Sequence, residues 1–151
     1  MRYFLDTEFN GLGGELISLA LVPEHGDDEL YLVLPLPDVL HPWVEQHVVP
    51  FLGAIPKDFP GGGTSRESMP HEIARYLAHD PVPEIVADWP DDIAYFCQAL
   101  ITAPGDMADV VGLRFELLRN PGFSVARNSK VPHNALHDAR ALRDFVLDWE
   151  G

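Results

Sequence analysis

The sequence predicts an α/β domain built on a mixed central sheet flanked by helices. Three observations carry that prediction: three β-rich runs open the chain in succession, helical and strand patterns alternate after them, and the C-terminal stretch keeps a helical apolar stripe. Tyr3 to Asp6 is the first apolar run and ends in acids. Glu15 to Val22 (ELISLALV) is the second and follows Gly11, Gly13 and Gly14, so the pair reads as a hairpin. Glu29 to Leu34 (ELYLVL) comes after the turn-like His25-Gly26-Asp27-Asp28 and completes three successive antiparallel strands. Pro42 to Leu52 has helical spacing, with Trp43, Val44, His47, Val48 and Phe51 on one face. Pro56 to Gly63 then breaks the chain and reads as a mobile loop. Thr64-Ser65 offers an N-cap to a helix over Ser65 to His79, with Ile73, Tyr76 and Leu77 as its apolar stripe. Glu84 to Asp88 (EIVAD), bounded by Pro83 and Pro90, is a short buried strand, and Asp91 to Leu100 is the helix after it. Ala108 to Gly112 reads as the last strand, Arg114 to Arg119 as a short helix, and Asn120 to Lys130 as an irregular basic loop. His133 to Trp149 is a helix that packs Ala135, Ala139, Leu142, Phe145 and Val146 inward.

At 151 residues, one domain spanning 1–151 is expected, since a single core at this size buries about two-thirds of the surface the unfolded chain exposes. Hydrophobic residues at 46% and charged residues at 23% belong to an ordinary globular protein, and the absence of any long apolar run excludes a membrane span. The opening Met1-Arg2-Tyr3-Phe4-Leu5-Asp6 has an apolar run too short for a signal peptide, so a cytoplasmic location is expected. The single cysteine, Cys97, is expected to be a buried thiol without redox work, and no Cys/His zinc frame exists. Ten basic residues against 24 acidic ones give a net charge of −14, which counts against a protein that coats nucleic acid by charge alone. It does not count equally against an enzyme that clusters acids, because each divalent cation cancels two negative charges where a phosphate must sit.

Three clusters of acids stand out. Asp6-Thr7-Glu8 ends the first strand, and period-two geometry puts both carboxylates on one face, where they can share a cation. Taken alone, the pattern favours solvated strand-end acids, because two acids two apart recur by chance in an acidic chain. Asp88-Trp89-Pro90-Asp91-Asp92 lies where a strand ends and a helix begins, the place where ligands tend to bind in α/β sheets. Helix capping is the competing role for Asp91 or Asp92. His133-Asn134-Ala135-Leu136-His137-Asp138-Ala139 opens the last helix, where a histidine and an acid five apart can both face the sheet edge, although the segment by itself favours a surface histidine and a helix-capping or ion-pairing aspartate.

In order and context these three elements resemble the exonuclease motifs of the DEDDh superfamily. Asp6-Thr7-Glu8-Phe9 resembles the first motif. Asp88-Trp89-Pro90-Asp91-Asp92 is similar to the second, with Asp92 the match for its aspartate. His133 to Ala139 is similar to the third, a histidine five residues before an aspartate followed by alanine. The opening DTEF, the ELIS strand, and the WVEQHVVP and AYFCQAL helices resemble a small RNase T-like branch whose members are described as polyadenylate-specific 3′-exoribonucleases. Asp88 and Asp91 depart from the pattern, in which many members have a small or amide side chain at the first place and an apolar or aromatic residue at the second. A register slip of one would make Asp91 the ligand and Asp88 an outer acid.

The resemblance implies an RNase H-like fold and a two-metal hydrolysis of phosphodiesters, with Asp6, Glu8, Asp92 and Asp138 holding two Mg²⁺ or Mn²⁺ ions and His133 as general base. It also implies attack at the 3′ ends of single-stranded RNA, with DNA left open, and release of nucleoside 5′-monophosphates. Phe9 and Trp89 can stack on bases, and Arg127 and Lys130 can meet phosphate; core packing and a basic loop without a role are the plain alternatives. Dimers are common in the branch, so an antiparallel homodimer lending basic residues across is a further expectation. Two other classes compete. The His137-Asp138 dipeptide with His133 four residues earlier suggests an HD-type phosphohydrolase, and the same fold could serve as a binding module without catalysis.

Overall fold

Alternation of side chains along the first strand divides the molecule into two layers. A computed structural model describes residues 1–59 and 62–151 of the chain. Strands β1 (Arg2–Phe9), β2 (Leu16–Pro23), β3 (Leu30–Val33), β4 (Glu84–Ala87) and, later in the chain, a strand over Arg114–Leu117 form one mixed sheet. A two-stranded hairpin, β5 (Ile101–Ala103) with β6 (Asp106–Met107), precedes that last strand, β7. The order across the large sheet is β3-β2-β1-β4-β7, so β1 is central. β2 and β3 pair antiparallel on one side of β1, and β4 and β7 run parallel to it on the other.

Tyr3 and Leu5 point to one face, where with Leu19, Leu21 and Ile85 they meet α2 (Met69–Leu77) and α3 (Pro90–Ala99) through Ile73, Leu77 and Phe96. Phe4, Val86, Ala20 and Val22 point to the other face, which the long C-terminal helix covers through Leu136, Ala139, Leu142 and Val146. Every residue of β2 is buried, as expected for a strand packed on both faces. The α1 helix (Pro42–His47) and the 3-10 turn after it (Val49–Phe51) seat Val44 and Val48 on Ile17. The remaining helices are α4 (Val125–Asn128) and α5 (Ala135–Glu150). Among the described residues, no helix is long and apolar enough to cross a membrane.

The expected mixed α/β architecture is present, with several local corrections. The 114–119 segment is a strand, not a helix: Arg114 to Leu117 pairs with Glu84 to Ala87, and tertiary pairing overrides the helix propensity of Arg, Glu and Leu. Ala108 to Gly112 is not a strand. It crosses to β7 through Gly112 at φ +75°, where an added Cβ would lie 2.2 Å from the Pro81 carbonyl oxygen, so only glycine fits. Within the 120–130 loop, Val125–Asn128 is helical. The first helix stops at His47, and Trp43 and Phe51 stay substantially exposed while Val44 and Val48 carry the packing. The second helix starts at Met69, after a turn held by the Ser65 hydroxyl accepting from the Ser68 N–H at 3.1 Å. Cys97 is exposed, because α3 buries Phe96 and turns its neighbour outward. In the 56–63 break, Pro60 and Gly61 lie outside the described residues, and Gly63 bridges to Val33 at the β3 edge.

Asn134 ties the last helix to the layer below. Asn134 is fully buried; its Oδ1 accepts from the His137 N–H at 3.1 Å as an N-cap, and its Nδ2 donates to the Phe51 carbonyl at 2.8 Å. Asn134→Ala is expected to cost about 1 to 3 kcal/mol in urea unfolding with the slope unchanged. A loss below about 0.5 kcal/mol would place the cap outside the set of structural anchors.

Candidate metal centre

Parallel strands that end together create the site. Phe4 is in register with Val86, and β1 and β4 run in the same direction, so Asp6 and Glu8 on β1 and Asp88 just past β4 come to one edge of the sheet. A bulge between Glu8 and Phe9 shifts the register of β1 on β2 at that edge, a common device beside functional residues. Two helix N-termini arrive at the same edge, α3 carrying Asp92 and α5 carrying Asp138 in their first turns. Their dipoles give acids there partial compensation.

Asp138 is only 2% exposed and Asp92 4%. Asp92 Oδ1 accepts two hydrogen bonds from Thr7, from its N–H at 3.1 Å and its hydroxyl at 2.6 Å, which fastens α3 to the strand between Asp6 and Glu8. Asp91 instead accepts from the Trp89 indole N–H at 3.1 Å. The buried acid bound to β1 is therefore Asp92, and Asp91 holds an aromatic side chain at the rim. Asp138 Oδ2 accepts from the His133 N–H at 3.0 Å. His133 sits at φ +71°, the one non-glycine residue with positive φ among the described residues, and such strain persists where surrounding contacts enforce it. Its ring meets Trp43 edge-on at 4.8 Å, and His47 stacks on Trp43 at 4.6 Å.

Glu8, His133 and Asp138 each bring one ligand atom within 4.8 Å of the others, enough to hold a metal ion. Asp6 and Asp92 stand outside that closest group. Asp6 is nonetheless near enough to Asp92, Asp138 and Glu8 for their charges to act on it. Burial first, and these neighbours second, hold its carboxyl well above the usual carboxylate range. Burial and then Asp138 and Asp92 do the same to Glu8. Burial pushes Asp92 to about 7 and Asp138 to about 6, against the hydrogen bonds that favour their charged forms. Burial followed by His47 lowers the His133 imidazole. Asp6 Oδ2 and Asp138 Oδ1 are buried without a hydrogen-bond donor, a costly state for carboxylate oxygens. Carboxylate oxygens with one imidazole nitrogen nearby are a donor set that can hold a divalent cation.

The other expected residues are distributed unevenly. Phe9 stacks on Tyr95 at 4.5 Å and lines a cavity of about 310 Å³ beside Glu8, whose other walls include Gly11, Leu12, His41 and Trp43. Leu12 there is 96% exposed. Trp89 is exposed at the rim. Arg127 donates to the carbonyls of Pro121 and Gly122 and makes no polar contact with the acids, and Lys130 is exposed. His137 bonds the Ala54 carbonyl at 2.8 Å and is not part of the metal-ligating group. Leu12 and Trp43, which wall the cavity beside Glu8, carry no signal in the sequence as site residues: Leu12 is a lone apolar side chain in a glycine-rich turn, and the helical spacing of α1 puts Trp43 on its apolar face.

Carboxyls whose pKa is raised by folding bind protons more tightly in the folded state, so their contribution to stability is present below about pH 4 and is lost as pH rises through their folded values. The metal-free protein is therefore expected to lose several kcal/mol, to order of magnitude, between about pH 4 and pH 8, and saturating Mn²⁺ to restore stability at the upper end. Asp6→Asn is expected to raise the melting temperature of the metal-free protein at pH 8 and to weaken the metal response. Thermal melts across pH with and without Mn²⁺ check this; a flat profile and no metal response would contradict it.

A scan against protein-family models matches none for this chain, and a search of curated proteins returns no match, so the case for the centre rests on its residues and their geometry.

Proposed function

We propose that the chain is a metal-dependent 3′-to-5′ exonuclease of the DEDDh type, with an RNase H-like fold, acting on single-stranded nucleic acid and on RNA in particular. The observation that carries this reading is the convergence of buried carboxylates from β1, α3 and α5 on one sheet edge, with one oxygen each of Asp6 and Asp138 lacking a donor and a strained histidine beside them. The strand order with β1 between an antiparallel and a parallel neighbour supports the fold assignment.

Asp6, Glu8, Asp92 and Asp138 would hold Mg²⁺ or Mn²⁺, which when bound offsets phosphate charge and activates water. The remaining roles belong to the chain. His133, whose imidazole is held below its ordinary pKa by burial and then by His47, takes the proton of the attacking water on a ring nitrogen. Trp43 and the N–H bond to Asp138 hold that ring in place. Thr7 fixes Asp92, so the acids keep their spacing when charge enters. The cavity beside Glu8, walled by Phe9, Leu12 and Trp43, suits a terminal nucleotide, because an exposed aliphatic and an aromatic face can sandwich any base.

A second reading has its own observation. Glu8, His133 and Asp138 are the tightest group, so His133 could be a ligand to a single ion rather than the base. The two differ in what His133→Gln does: as base its loss removes activity while ion binding persists, and as ligand its loss removes both.

With a 5′-labelled RNA oligomer and Mn²⁺, the expected result is a ladder shortening from the 3′ end, releasing nucleoside 5′-monophosphates. Asp6→Asn should abolish it, and His133→Ala should slow it by about 10² to 10⁴. If wild type shortens neither RNA nor DNA with either metal, the exonuclease reading fails.

A further inference from the structure

Among the described residues, Arg119 is the one arginine or lysine that contacts Asp88, the acid beside the metal centre at the same sheet edge. It follows β7, the outermost of the three parallel strands, and so comes out at the same sheet edge as Asp6 and Asp88. Its guanidinium donates to the Asp88 carbonyl, approaches the Asp88 carboxylate at 4.0 Å, and lies 5.2 Å over the ring of Trp89. The indole beneath it is fixed in turn by Asp91. An arginine held by one backbone carbonyl and a ring face has most of its five N–H donors left over, and its side chain is 56% exposed. A distance of 4.0 Å to a partly exposed carboxylate is a weak ion pair. The arrangement therefore orients a permanently charged fork at the rim of an acidic centre without satisfying it.

We propose that Arg119 is a phosphate-binding residue: supported on Trp89, it receives a backbone phosphate of a single-stranded nucleic acid whose 3′ end lies among the carboxylates. The inference rests on the exonuclease reading for the placement of the strand, and it gives the chain an anchor that its net charge of −14 otherwise withholds. A planar guanidinium matches a phosphodiester bidentately, whereas an ammonium offers only a point charge. The indole lends the cation a π face.

The test is binding of a fluorescein-labelled oligoadenylate to the full chain in Ca²⁺, by anisotropy, for wild type, Arg119→Ala, Arg119→Lys and Arg119→Met. The control is Arg75→Ala, which removes an exposed charge from α2. Arg119→Ala and Arg119→Met should weaken binding by about tenfold to a hundredfold, and Arg119→Lys by less. The salt dependence of log Kd in the alanine variant should fall by about 0.7, the value for one lost contact on a single strand. On a methylphosphonate oligomer, which lacks backbone charge, wild type and variants should bind alike. Arg119→Met keeps the cover over Trp89, so its loss separates phosphate contact from packing. Alanine and methionine variants within twofold of wild type, or an equal loss on the uncharged oligomer, would overturn the proposal, and so would a wild type that binds no oligomer. Because binding is read without turnover, a chain that binds as expected yet cleaves nothing would sink the exonuclease reading while leaving Arg119 supported.

Discussion

Everything near the functional edge depends on one constraint: carboxylates are buried together with almost no positive charge to match them. Asp6, Asp92 and Asp138 are among the few buried polar residues, and two of their oxygens have no donor at all. Like charges in a low-dielectric setting repel strongly, and folding must hold them there against that repulsion. The hydrophobic layers on both faces of the sheet do so. β1 is clamped between α5 on one side and α2 and α3 on the other, so its terminal acids cannot retreat into solvent without disturbing the core.

Local devices then set the spacing. Thr7 holds Asp92, the N–H of His133 holds Asp138, and Asn134 caps the helix that carries Asp138. The positive φ of His133 is what lets one residue bond Asp138 through its backbone while presenting its ring beside Glu8. Strain at that single position is consistent with a geometry kept for chemistry rather than for stability. Rigid packing behind the acids and exposed side chains such as Leu12, Trp43 and Trp89 in front of them divide the edge into a fixed interior and an open rim.

Much of this is legible in the sequence because it rests on local rules. The same-face placement of Asp6 and Glu8 follows from strand periodicity, and the strand-to-helix passage at Asp88 to Asp92 follows from Pro90 and the apolar EIVA run. The α5 stripe of Ala135, Ala139, Leu142 and Val146 likewise packs as its spacing predicts. What is not legible depends on partners far along the chain. Arg114-Phe115-Glu116-Leu117 is a strand only because β4 offers it an edge, and its four residues carry too little pattern to outweigh helix-forming side chains. Val110 and Val111 look like strand residues, but the chain there must turn at Gly112 to reach that edge. Which of Asp91 and Asp92 turns inward is decided by Thr7, eighty-five positions away. The exposure of Cys97 depends on which side of α3 meets the sheet, which Phe96 settles.

Counting bound ions tests most directly whether the buried acids form a site for divalent cations. Titration of the purified chain with Mn²⁺ at pH 8, followed calorimetrically, is expected to show saturable binding of two ions per chain, reduced in Asp6→Asn and in Asp138→Asn and retained in His133→Gln. No saturable binding, or equal binding by wild type and both asparagine variants, would contradict the account.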